Sequence, residues 1–193
     1  MKLKYLFFRS TSWLLFPMLS IFFLSACSST KKSIITKSGT LVSMKSTVEI
    51  NSKVPVKNID TKNTSATTVV KFSKTLIGVP YLYGSMKKEN GFDCSGFINY
   101  VFNHFKINVP RTTVEFTNAG KEVPIAESRE GDLILFTGSN AKSGVVGHMG
   151  IVTQTTPDNV FFIHAASGGG KGVMISSLNS YFIPRFVKVV RVF

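Results

Sequence analysis

The sequence predicts an α+β fold in which N-terminal helices pack on a mostly antiparallel β-sheet of about five strands. Between Ala66 and Phe105 the apolar residues recur at helical spacing, and beyond residue 130 they gather into short β-rich runs separated by Gly, Asn, Asp, Ser and Pro clusters. Helices first and sequential strands afterwards is the order that places helices on one side of an antiparallel sheet. A hydrophobic content of 44% with 17 Phe in 193 residues gives one domain enough apolar surface to build a core, although part of that total lies near the N-terminus.

The chain starts with Lys2, Lys4 and Arg9, followed by an apolar run from Trp13 to Leu24 that ends in Leu24-Ser25-Ala26-Cys27. A basic start, a short apolar stretch and small residues before a cut describe a secretory signal, and the run is too short to be a membrane span. The last four residues resemble the bacterial lipobox, which implies a lipoprotein signal peptide over 1–26. Cys27 is then the lipidated residue that anchors the protein to a membrane. The alternative is ordinary signal cleavage beside an incidental cysteine. Residues 27–65, rich in Ser, Thr, Lys and Asn and free of aromatics, read as the lipidated cysteine and a flexible tether. Lys31, Lys32, Lys37 and Lys45 suit anionic headgroups or plain solvation, and Val48 to Val56 alternates as a short strand would.

The folded domain is expected over 66–193. Val69, Val70, Phe72, Leu76 and Ile77 form the first helical stripe, capped by Ser65 or Thr67 and stopped by Gly78 and Pro80. Pro80 to Gly84 is a loop leading to a second helix, whose inward face is Phe97, Tyr100, Val101 and Phe105. Asp93 stands at its N-cap and Cys94 at its first position, where the positive end of the helix dipole favours thiolate. Ser95 and Gly96 keep the first turn slim enough for a substrate backbone to approach the sulfur. The competing reading makes Cys94 a small buried hydrophobe. Pro110 to Thr113 is a turn with a short helix running to about Ala119. Strands are expected at Asp132–Phe136, Met149–Thr153, Val160–His164, Val173–Ile175 and Arg185–Phe193. The chain shows no internal repeat.

Two histidines give Cys94 possible partners. His148 lies between glycines at the mouth of one predicted strand, and His164 lies near the end of the next. A hairpin through Thr156-Pro157-Asp158-Asn159, counted inward from its turn, makes them neighbours, with His148 as base and His164 as the group that orients it. No metal-ligand cluster is evident, and no cofactor is expected. The net charge of +13 suits an acidic partner or a well-solvated surface equally. Its Lys and Arg residues are scattered and lack any nucleic-acid motif, so nucleic acid is not expected as a partner.

Six blocks occur in order: Val79-Pro80-Tyr81-Leu82-Tyr83-Gly84, Gly91-Phe92-Asp93-Cys94-Ser95-Gly96-Phe97, Val109-Pro110-Arg111-Thr112, Arg129 to Phe136, Gly147-His148-Met149-Gly150-Ile151 and Phe162 to Ser167. Together they resemble the NlpC-type cell-wall peptidases, papain-like thiol hydrolases of bacterial envelopes. The resemblance implies a papain-like thiol hydrolase fold, with Cys94 as nucleophile, His148 as base and His164 as third catalytic residue. It implies a lipid-anchored endopeptidase cutting peptidoglycan stem peptides, usually between D-glutamate and diaminopimelate or lysine, or at cross-links. Asp93 and Ser95 match positions that bind a substrate ammonium in some members, and Asp93 serves equally as a simple N-cap. Tyr81 matches a position near the thiol, although such aromatics also pack into cores, and Arg111 suits a surface ion pair. Many relatives have glutamine where this chain has Phe116, while 141–146 and 167–172 are loops that would tune the substrate. An envelope amidase or acyltransferase using the same thiol, and a non-catalytic wall-binding lipoprotein, are the other functions considered. The protein is expected to be a monomer in the cell envelope, with the outer membrane favoured because Ser28 rather than aspartate follows Cys27.

Overall fold

The computed structural model describes residues 58–168 and 172–193. The signal, Cys27, most of the tether and the strand expected at 48–56 therefore lie outside the described residues. Within them the architecture is α+β, with two helices and a six-stranded antiparallel sheet.

Helix α1 spans Ala66–Lys74, with the Ser65 hydroxyl accepting from the Thr68 N–H. It ends at the Thr75 C-cap, earlier than the apolar stripe suggested, so Leu76 and Ile77 fall in turns. Leu76 is buried there, while Ile77 is half exposed. Leu76 can pack from a turn because burial rewards apolar area, whatever the backbone state that presents it. Between the helices the chain forms a small hairpin, β1 (Met86–Lys87) and β2 (Gly91–Phe92), where a plain loop was expected.

Helix α2 spans Cys94–His104 and starts where the Asp93 cap predicts. Its fully buried face is Phe97, Ile98, Val101 and Phe102, one step around from the expected stripe; Tyr100 and Phe105 pack at the edge. Each of those side chains contributes about 1.5–3 kcal/mol by leaving water. A 3-10 segment, Thr113–Asn118, follows and buries Phe116 completely.

The sheet runs β3 (Lys121–Val123), β8 (Phe186–Arg191), β4 (Leu133–Thr137), β5 (Val146–Thr155), β6 (Val160–Ala166) and β7 (Gly172–Ser177), in that spatial order. The additional edge strand, β3, is short and mostly polar, so it carried no apolar signal. Leu133 and Leu135 of β4 face α1 and α2, whereas Ile134 and Phe136 face a second cluster with Val152, Phe162, Phe182 and Val189. With both faces covered, the central strand reads as an unbroken apolar run. Arg191 clamps β8 to the start of β4 through a two-pronged ion pair with buried Asp132, at 2.9 and 2.8 Å.

Candidate active site

The position of Cys94 follows from the cap of α2. The Asp93 carboxylate accepts the Gly96 N–H, receives the Ser95 hydroxyl at 3.3 Å and is paired with Arg111 at 3.0 Å. Arg111 also donates to Ser95 Oγ at 2.9 Å. Gly96 has a different role from the one expected: a Cβ there would collide with the Ser85 carbonyl and the Asp93 carboxylate. It lets Ser85, just before β1, press against the helix start. Asp93 and Ser95 are both buried in this capping network.

The two histidines come together through a β-bulge. From the turn, Thr155 pairs with Val160 and Gln154 with Phe161; then the register shifts, and Val152 pairs with Phe162 and Ile151 with Ile163. Thr153 is the extra residue, and its hydroxyl donates to the Phe161 carbonyl at 3.2 Å. Without that insertion His164 would sit opposite Ile151, and His148 would point to the other face, because side chains alternate along a strand. With it, His164 lies across from Gly150, and His148 is its diagonal neighbour on the same face. The histidines are neighbours as expected, in diagonal contact across the two strands. Gly150 leaves room for it, since a Cβ there would press on the Ile163 carbonyl, the Phe162 ring and His164 Cβ.

His148 Nε2 and His164 Nδ1 are 2.8 Å apart, and His164 Nε2 is 2.9 Å from Ser176 Oγ. Two proton arrangements satisfy the chain, and the one a base requires has His148 Nε2–H donating to His164 Nδ1 and His164 Nε2–H donating to the serine. That leaves His148 Nδ1 free to take a proton. Phe182 packs on both imidazoles, and Phe136 and Phe162 complete an aromatic floor. Burial lowers His148 to about 4; burial and the charge of His148 lower His164 to about 3. Both rings are therefore neutral near pH 7.

Cys94 Sγ approaches the Gly147 carbonyl at 3.8 Å and the Thr113 hydroxyl at 3.9 Å. Its thiol is pushed above the ordinary range, chiefly by burial and also by the Asp93 charge, against lowering hydrogen bonds from Thr113 and from the Ser95 and Cys94 N–H groups. This corrects the expectation that the helix start makes Cys94 a thiolate. The dipole acts, but desolvation of the sulfur outweighs it. The resting pair is a neutral thiol beside a neutral imidazole.

Cys94, His148 and His164 line one cavity of about 470 Å³, together with Tyr81. Burial and the neighbouring Cys94 and Asp93 charges raise the Tyr81 phenol, which stays protonated as a donor. Asp93 and Ser95 are not among the lining residues. Their polar groups face Arg111 and the helix cap, so of the three expected substrate contacts only Tyr81 is on the cavity wall. Sequence reasoning missed Ser176, Thr113 and Phe182. Ser176 was recoverable in principle: β7 pairs Met174 with His164, and residue 176 is next on the same face.

The model of the NlpC/P60 family matches residues 78–191. A probable endopeptidase of Haemophilus influenzae is 37% identical over 117 residues, covering 60% of this chain and 67% of that protein. The Escherichia coli K12 protein named murein DD-endopeptidase MepS/murein LD-carboxypeptidase is 38% identical over 118 residues, covering 60% and 56%. Depending on the relative, the matched part of the chain spans between a quarter and two thirds of the length of the curated proteins. Among solved structures, the NlpC/p60 domain of the peptidoglycan hydrolase SagA superposes with a TM-score of 0.54 at 30% identity, covering 66% of this chain and 99% of that domain. The family model takes in both helix α2 and the strands that carry the two histidines, and the papain-like α+β architecture is shared with the solved relatives, so this chain belongs to the NlpC/P60 family.

Proposed function

We propose that the chain is a peptidoglycan endopeptidase of the thiol class, with Cys94 as nucleophile, His148 as base and His164 as the residue that orients it. The observation that carries this reading is the single cavity lined by all three, in which the His148–His164 contact leaves one imidazole nitrogen free. The names of the relatives, murein and peptidoglycan endopeptidases, support stem peptides as substrate.

Because thiol and imidazole are both neutral at rest, the proton moves as the substrate is attacked. The Cys94 proton passes to His148, the sulfur bonds to the scissile carbonyl carbon, and the oxyanion lies toward the N–H groups at the start of α2. As the C–N bond breaks, His148 returns the proton to the leaving amine, leaving a thioester. His148 then takes a proton from water, the resulting hydroxide attacks the thioester, and the thiol is restored. His164, hydrogen-bonded to Ser176, supports the transient imidazolium. On the same reading Cys27 is lipidated and holds the enzyme at a membrane of the cell envelope.

Purified full chain incubated with muropeptides and analysed by mass spectrometry tests the proposal. Two smaller peptides whose combined mass exceeds the substrate by one water are expected. Cys94→Ala should abolish cleavage, and His164→Ala should leave a slow residue of it. Intact substrate with wild-type protein, or amine-transfer products in place of hydrolysis, would contradict the reading.

A further inference from the structure

Both buried side-chain polar atoms that lack a hydrogen-bond partner among the described residues, Thr137 Oγ1 and Arg185 Nε, belong to residues that line the catalytic cavity. Orphaned buried donors are rare in folded proteins, and two on one cavity mark a place where a ligand completes the bonding. Among the described residues of the cavity wall Arg185 alone carries a charge, the two histidines being neutral. It is held in place without being neutralised. Nη1 donates to the Tyr181 carbonyl at 2.7 Å, Nη2 reaches the Ser139 carbonyl at 3.5 Å, and the guanidinium lies 3.9 Å from the centre of the Tyr181 ring. Arg111 and Arg191, in contrast, are each paired with a carboxylate. A fixed cation with no carboxylate partner among the described residues, on the same cavity as a residue with an enclosed, unpartnered hydroxyl, is a receptor for an anion with oxygen acceptors. Entry of the anion requires these enclosed groups to turn toward it.

The location selects which part of a substrate this anion belongs to. Arg185 directly precedes Phe186, which pairs with Phe136, and Phe136 pairs with His148. The cation therefore sits on the histidine wall of the cleft, opposite the start of α2. The fragment that receives its proton from His148 lies on that wall. We infer that Arg185 and Thr137 bind a free carboxylate on the leaving-amine side of the scissile bond, making acidic stem peptides with an unmodified carboxylate there the preferred substrates. This rests on the peptidoglycan reading above and deepens it.

The test measures binding, separate from turnover, in the full chain carrying Cys94→Ala. Three stem tetrapeptides are titrated by calorimetry: one with all carboxylates free, one amidated at its C-terminus and one amidated at its D-glutamyl carboxylate. At the D-glutamyl bond the C-terminal carboxylate leaves with the amine and the D-glutamyl carboxylate stays on the acyl side. The free peptide should therefore bind about tenfold or more tighter than the C-terminal amide and about as tightly as the D-glutamyl amide, as a charge-assisted contact predicts. Adding Arg185→Gln should remove the disadvantage of the C-terminal amide, whereas a preference that depends on the D-glutamyl carboxylate alone overturns the inference. Arg185→Lys should keep part of the preference, and Thr137→Val should weaken the free peptide alone, so a folding defect of the Arg185→Gln variant leaves two independent readings. Equal affinity for all three peptides, or equal loss across them in the Arg185 and Thr137 variants, overturns the inference and leaves the endopeptidase reading intact. Failure of all three peptides to bind overturns both.

Discussion

An imidazole packed against Phe136 and Phe182, as His148 is, cannot hold a proton as it would in water, and this sets the pH behaviour of the site. A base works only while neutral. With His148 lowered to about 4, it stays competent well below the ordinary histidine range, and activity is lost only as pH falls through that value. The expected kcat/KM profile is flat between roughly pH 5.5 and 8, with its acid limb near 4 and not near 6.5. A midpoint at 6 or above would mean that the ring is hydrated in solution. The thiol gives the complementary reading: raised by burial, it should alkylate slowly with iodoacetamide at pH 7 and faster only above its usual range. Ser176 belongs to the same chain of contacts. Ser176→Ala should lower kcat on the order of 2–10-fold, the worth of one net hydrogen bond, with KM unchanged. Ser176→Thr keeps the hydroxyl and should recover most of the rate. A Ser176→Ala enzyme as fast as the parent would show that His164 needs no partner on β7.

At the scale of elements, the start of α2 was legible and the His148–His164 contact only partly so. Asp93 three residues before Gly96 is a local signal, complete in the sequence, and the helix begins where it says. The hairpin count depended on a residue that no local signal marks. Thr153 has ordinary strand character, yet as a bulge it reverses which face His148 shares, and its reason is tertiary. Hairpin β1–β2 and edge strand β3 were illegible for a related reason: each strand is two or three residues long, too short to carry a periodic apolar signal. The α2 cap also couples stability to reactivity. Asp93→Ala removes the cap and the partner of Arg111, and should cost about 1–2 kcal/mol in denaturant unfolding. Asp93→Asn keeps an oxygen to accept the Gly96 N–H but loses the charge that opposes thiolate formation. Its loss should therefore be smaller, and its thiol should alkylate at lower pH than the parent's. An Asn variant with an unmoved alkylation profile would show that Asp93 acts on the helix alone.

For the whole molecule, the net charge of +13 divides unevenly along the chain. Residues 1–57 carry nine of the 23 Lys and Arg and one of the ten acidic residues, so they hold +8 and the remainder +5. A general attraction of the catalytic unit for acidic stem peptides is thus weaker than the total suggests, which moves the work of recognition onto a local cation such as Arg185. Three of those cations, Lys2, Lys4 and Arg9, lie in the expected signal peptide, so 27–57 holds +5 next to the expected lipid, as much as the far longer remainder. Juxtamembrane cations contribute about 1 kcal/mol each at an anionic surface and are screened within about 8 Å at physiological salt and about 3 Å at 1 M. A lipid chain, by contrast, is held by burial of its methylenes and is insensitive to salt. Cys27→Ala in the full chain should therefore move the protein from the membrane pellet to the soluble fraction. Any remainder in the pellet should be released by 1 M NaCl, and the rate on soluble muropeptides should be unchanged because the substitution lies outside the catalytic unit. Parent protein washed off by the same salt, or a Cys27→Ala variant that resists it, would show that charge or another segment is the anchor and Cys27 is not.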